Sequence, residues 1–159
     1  MKLSVEDFKS LVKNGILLSI DLIIKNENGE VLVGKRKNNP AKGYWFVPGG
    51  RIFKNESFKD ALHRVCKAEV GILKVNSIFK LLGFFNHIYN DNFFGDPTFN
   101  THYMAIGVKL KISEIHMKTS IHDQHDEIKF MSISDILNDT NVHENTRYYF
   151  TDNAPNRFI

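Results

Sequence analysis

The chain has 159 residues, 42% hydrophobic and 25% charged, a balance that excludes a disordered, fibrous or collagen-like polymer and predicts one domain over 1–159. Its 21 basic and 18 acidic residues leave a net charge of +3, too weak and scattered for a nucleic-acid partner but suited to an anionic small molecule. One cysteine, Cys66, excludes an intrachain disulfide and a cysteine-built zinc site; no apolar run approaches the ~20 residues of a membrane span and no signal-peptide core opens the chain, so the expected setting is a reducing cytoplasm.

Ser4 with Asp7 makes a capping box, and Val5, Phe8, Leu11 and Val12 recur at helical spacing, which predicts a short N-terminal helix. Ile16 to Ile24 is apolar on both sides and reads as a buried strand with one misfit, Asp21. Asn26 to Glu30 carries hairpin chemistry, and Val31 to Val33 returns as a strand ending at Gly34-Lys35-Arg36. Tyr44 to Arg51 reads as one apolar strand running into a Pro48-Gly49-Gly50 turn. Ser57 and Asp60 form a second capping box, opening a helix to about Val70 that Gly71 closes. Phe79 to Tyr89 and Phe99 to Leu110 are expected as long strands, Glu127 to Met131 as the last one. Ser134 to Leu137 and His143 to Phe150 are expected as short helices, with a loosely held tail from Thr151. The sum is a mixed β-sheet between helices, an α/β/α sandwich.

On a wheel of the Ser57 helix, Phe58, Ala61, Leu62, Val65, Ala68 and Ile72 form an apolar stripe, and Glu69 falls near its middle. A carboxylate facing an apolar interior is costly unless a cation or several donors compensate it. An ordinary buried ion pair answers that requirement. So does a metal–phosphate group, because a Gly-Gly turn stands just before the helix.

The frame Gly50, five residues, Glu56, seven residues, Arg64, then Cys66, Glu69, Gly71 and Ile72 resembles the Nudix box (about 50–72), the signature of hydrolases acting on nucleoside diphosphates linked to another group. Val65, Ala68 and Glu69 stand where that box carries three glutamates. These positions are related as i, i+3 and i+4 and share a helix face, so two of three clustered charges are missing. One hard cation such as Mg²⁺ can still be held; a second or third has little to hold it.

This altered box is similar to that of the GDP-mannose mannosyl hydrolases within the superfamily. The resemblance extends to Gly34-Lys35-Arg36, Asn39-Pro40-Ala41, Gly43 to Arg51, Asp91-Asn92-Phe93, Thr101-His102-Tyr103, Asp123-Gln124-His125-Asp126 and Asn141-Val142-His143. It implies hydrolysis of GDP-mannose, with GDP-glucose as the alternative, by water attack at the sugar C1 with inversion. It implies one Mg²⁺ per subunit (Mn²⁺ the alternative ion) on Gly49, Glu69 and Gln124, and His125 as the base. Arg36 and Arg51 are implied on the diphosphate and leaving group. Asp21 is expected on sugar hydroxyls, behind an arginine, or as a plain edge-facing carboxylate. Tyr103 reads equally as a phosphate partner or as core packing. His87 is a second candidate, and Lys2, Leu3 and Phe8 stand where the N-terminal segment reaches the base. Glu56 and Arg64 read as an ion pair holding the loop. The resemblance also implies a homodimer and a nucleotide-sugar partner.

The chemistry is consistent with the depleted box, because GDP leaves as a delocalised anion and needs no protonating acid, only a base for water. Two rivals remain: attack at phosphorus giving a nucleoside monophosphate and a sugar phosphate, and a non-catalytic nucleotide-sugar sensor.

Overall fold

The computed structural model describes residues 3–71, 79–111 and 125–158, with the backbone alone at 111, 125 and 126. Lys2, Ile72 and Gln124 therefore lie outside the described residues. The elements are α1 (Val5–Asn14), β1 (Leu17–Lys25), β2 (Val31–Arg36), β3 (Trp45–Phe46), β4 (Gly49–Arg51) and α2 (Phe58–Val70). After these come β5 (Lys80–Tyr89), β6 (Thr101–Lys111), β7 (His125–Met131), α3 (Ile133–Asn138), α4 (Glu144–Arg147), a 3-10 turn (Tyr148–Phe150) and β8 (Arg157–Phe158).

β1 is the axis of a mixed sheet. It runs parallel to β6 along its whole length, from Leu17 opposite Tyr103 to Lys25 opposite Lys111. It is antiparallel to β2 and also to β4, where Asp21 stands opposite Gly49 and Ile20 opposite Gly50. β6 continues to β5 and β8, while β3 and β7 both pair with β2. Period-2 alternation along β1 divides its side chains between two cores. Ile20, Leu22 and Ile24 pack with Leu62, Val65 and Cys66 of α2. Ile23 faces the other way, with Phe46, Phe85, Tyr89, Ile136 and Tyr149.

Both capping boxes form: the Ser4 and Ser57 hydroxyls accept from the amides of Asp7 and Asp60. Gly71 closes α2 in the left-handed region at φ 72°, where glycine carries no Cβ penalty. Three expectations are corrected. Tyr44 to Arg51 is two short strands on different partners, because Pro48 has no amide to donate and its carbonyl turns to the Leu22 amide at 2.8 Å. The chain after Thr151 is tied down by β8, which pairs with β5 at Phe84 and Phe85, so Glu127 to Met131 is not the last strand. In α2 the buried stripe contains Cys66, whereas Ala68 is exposed, about 100° around the helix from buried Glu69. Among the described residues, no helix is long and apolar enough to cross a membrane.

Candidate active site

Asp21 points away from α2 on the central strand and is 7% exposed, so it is not an edge-facing carboxylate. Its Oδ2 accepts the Tyr149 hydroxyl at 2.7 Å, and the Tyr149 hydroxyl oxygen lies 3.5 Å from His87 Nε2. Burial pushes the Asp21 carboxyl up from 3.8 to about 6. The Tyr149 hydrogen bond, the Arg36 charge and the Ser19 side chain draw it down, and the charge of Glu69 pushes it further up. Across the β1–β4 pair, a Cβ on Gly49 would stand 2.6 Å from Asp21 Oδ1 and 2.8 Å from the Ile20 carbonyl, so only glycine leaves room for the carboxylate.

Glu69 is buried within α2, as the helical period predicts. Val65, one turn earlier, is 1% exposed. The turn before the helix is clamped by Arg64, whose Nε and Nη2 donate to the two Glu56 oxygens at 2.6 and 2.7 Å. Nη2 also donates to the Arg51 carbonyl at 2.7 Å, and Glu56 accepts the Phe53 amide at 3.0 Å. The guanidinium beside Glu56 holds its carboxyl below the usual range. The expected loop-holding ion pair is in place, as a two-pronged fork that also reaches the backbone of a site arginine.

The fold brings the two arginines to one tyrosine. Arg36 closes β2, 5.5 Å over the Phe46 ring, and Arg51 closes β4, 4.0 Å over Phe8 and 5.6 Å over Phe53. Burial raises the Tyr103 phenol while both guanidinium charges draw it down, so it remains a neutral donor beside two cations. His87 stands opposite Tyr103 across the β5–β6 pair, and burial with a repulsive push from His143 drives its pKa to about 3. The backbone of His125 is in a strand, not a loop: it opens β7 directly opposite Arg36. Phe8 packs against Arg51, Phe93 and Phe94. Leu3 is 45% exposed.

Two side chains acquire a place that no motif announced. Tyr149 joins Asp21 to His87. His143, the last residue of the Asn141-Val142-His143 segment, sits among Tyr44, Phe46 and Tyr89 with ring centroids 5.2–5.3 Å away. Its Nδ1 accepts the Asn145 amide at 3.2 Å, and burial lowers its pKa to about 4. The signals at this end of the sequence were the Asn141-Val142-His143 resemblance and the expected helix from His143 to Phe150, neither of which singles out the Tyr149 hydroxyl.

Among the described residues, no three His, Cys, Asp or Glu side chains gather into a metal cage. The donor set does fit a single hard cation: one buried carboxylate on α2, a second close enough for Glu69 to act on its pKa, and a glycine turn between β1 and the helix. Glu69, Gly49 and, outside the described residues, Gln124 are the candidates to hold it.

Residues 16–152 match the family described as the NUDIX domain. The chain is similar to the low-salt glycan biosynthesis protein Agl8 of Haloferax volcanii, 38% identical over 124 residues that cover 78% of this chain and 76% of that protein. Among solved structures it resembles a MutT protein from Methanosarcina mazei Go1, with TM-score 0.67 and 24% identity over 85% of this chain and 90% of that one. It also resembles a MutT NUDIX hydrolase from Burkholderia pseudomallei, with TM-score 0.68 and 22% identity over 86% and 96% of the two chains. Nudix enzymes generally work with divalent ions such as Mg²⁺, in keeping with the donor set above. The family match, the shared sandwich and the glycine turn facing α2 agree: this chain belongs to the Nudix hydrolases.

Proposed function

We propose that the chain hydrolyses GDP-mannose, or GDP-glucose, to GDP and the free sugar, with water attacking the anomeric carbon and inverting it. One observation carries the reading. At the two box positions of α2 where further metal-gathering carboxylates would stand, Val65 is buried under the turn and Ala68 is an exposed methyl group, so Glu69 is the one carboxylate of the three. Attack at phosphorus draws on several ions arranged about the diphosphate, whereas departure of an intact GDP anion asks only that its charge be neutralised. Glu69, Gly49 and Gln124 would hold a single Mg²⁺, which would supply part of that neutralisation.

The remaining roles fall to the protein. Arg36 and Arg51 fork onto diphosphate oxygens, and Tyr103 donates its hydroxyl beside them. His125, at the head of β7 opposite Arg36, takes a proton from the attacking water. The water oxygen bonds to C1 as the C1–O bond breaks, and that electron pair leaves with GDP. Asp21 and His87, linked through the Tyr149 hydroxyl, would take the sugar hydroxyls. The glycan biosynthesis role in the name of the Haloferax volcanii relative favours a sugar-bearing substrate. A homodimer would cover Leu3, Val5, Leu11, Ile16 and Leu18, which are 39–70% exposed around α1.

Hydrolysis of GDP-mannose by the purified protein with Mg²⁺ in ¹⁸O-labelled water tests the reading. Label on the released mannose is expected. Label on GMP or on mannose 1-phosphate would assign the chain to phosphorus attack, and no turnover across a panel of GDP-sugars would make it a sensor.

A further inference from the structure

Tyr149 lies 5% exposed in the 3-10 turn after α4, 128 residues from the carboxylate it touches. Its ring packs edge-on against Phe85 with centroids 4.5 Å apart. The two rings occupy the space that Gly107 leaves open: a Cβ there would stand 3.2 Å from Tyr149 Cε1 and 3.1 Å from Phe85 Cε2. Held in this way, the hydroxyl donates to Asp21 Oδ2 at 2.7 Å. The other carboxylate oxygen, Oδ1, lies against Gly49. Turning the carboxylate would break a buried hydrogen bond, so its orientation is set from behind.

The same hydroxyl determines a tautomer. A phenol has one proton, and Tyr149 gives it to Asp21. Toward His87, 3.5 Å away, its oxygen can only accept. That contact calls for the proton on His87 Nε2 and leaves Nδ1 as an acceptor.

We infer that Tyr149 is a positioning residue of this site, its hydroxyl fixing the rotation of the Asp21 carboxylate and the tautomer of His87, the two groups to which the proposed function gives the sugar hydroxyls. The inference rests on the proposed function for the identity of that substrate. It does not rest on it for the hydrogen-bonded chain from His87 through Tyr149 to Asp21.

Tyr149→Phe keeps the ring packing and removes only the hydroxyl. For GDP-mannose with Mg²⁺, kcat is expected to fall by about 10-fold to 100-fold with KM within about twofold, because the groups remain present but misaligned. Nitrogen NMR of the metal-free protein is expected to show His87 protonated on Nε2 in the wild type and a redistribution toward Nδ1 in the variant. Should Tyr149→Phe fold poorly, Gly107→Ala, which displaces the ring and keeps the hydroxyl, is expected to give the same two changes in weaker form. An unchanged kcat, an unchanged His87 signal, or a loss of activity that merely follows a lowered Tm would overturn the inference. Failure of the wild type to cleave any GDP-sugar would overturn the function alone, since the His87 signal is read without substrate.

Discussion

Val65 lies directly beneath Gly50: a Cβ at position 50 would stand 3.1 Å from Val65 Cγ2. An apolar side chain thus supports the glycine turn at a place where the Nudix box carries a carboxylate. The contact ties the turn to α2 by packing, and it leaves the helix face with the charge of Glu69 alone.

Restoring the two missing carboxylates separates packing from charge. Val65→Glu puts a carboxylate at a 1% exposed position and is expected to cost about 2–4 kcal/mol in metal-free protein, partly recovered with Mg²⁺. Ala68→Glu, on the exposed side, should change stability by no more than about 0.5 kcal/mol. The double variant should bind more Mg²⁺ per chain and release no more sugar. Thermal melts with and without Mg²⁺, metal titration and a mannose assay check these outcomes, and faster mannose release would contradict the charge argument.

His125→Ala is expected to lower kcat by a factor on the order of 10² or more while GDP affinity stays within about threefold, since a base acts on water and not on the nucleotide. Steady-state kinetics and calorimetry with GDP test it. Undiminished turnover would transfer the role of base to another group.

Phe8 holds one face of the Arg51 guanidinium at 4.0 Å, and α1 is further pinned by Lys9 to Asp96 at 2.8 Å. Phe8→Leu should loosen Arg51 and raise KM for the nucleotide sugar by about threefold to fivefold, with Phe8→Trp restoring it, as a cation–π contact of about 0.5–1 kcal/mol requires. An effect on the guanine preference instead would place the ring on the base.

Buried titratable groups set the response of stability to pH. His87 and His143 have folded pKa values of about 3 and about 4, below the ordinary 6.5, so below pH 6.5 the unfolded chain takes up protons that the folded one refuses. Their contribution is present above pH 6.5 and is lost as pH falls, at about 1.4 kcal/mol per pH unit for fully buried His87. Asp21 acts in the opposite sense. Its folded value of about 6 exceeds the ordinary 3.8, so it is neutral at no cost below pH 3.8 and costs most above pH 6. Asp21→Asn should therefore stabilise metal-free protein by up to about 3 kcal/mol at pH 7.5, and by almost nothing at pH 3.5, while abolishing activity. Urea unfolding across pH 3.5–8 measures both limbs; equal gains at the two ends would show that the carboxyl is not held out of water.

The features that the sequence determined by itself are those written in neighbouring residues. Ser57 and Asp60 start α2 and Gly71 ends it, because a cap and a left-handed glycine need only their own turn. The 3.6-residue period buries Glu69, and a spacing of eight brings Arg64 back to Glu56. The parallel pairing of β1 with β6, the splitting of Tyr44 to Arg51 between two partners, and the meeting of Tyr149 with Asp21 were decided only by tertiary structure. No local pattern distinguishes a tyrosine that ends in solvent from one that ends on a buried carboxylate. That difference arises when segments far apart in the chain enclose both side chains away from water and bring one polar atom within reach of the other.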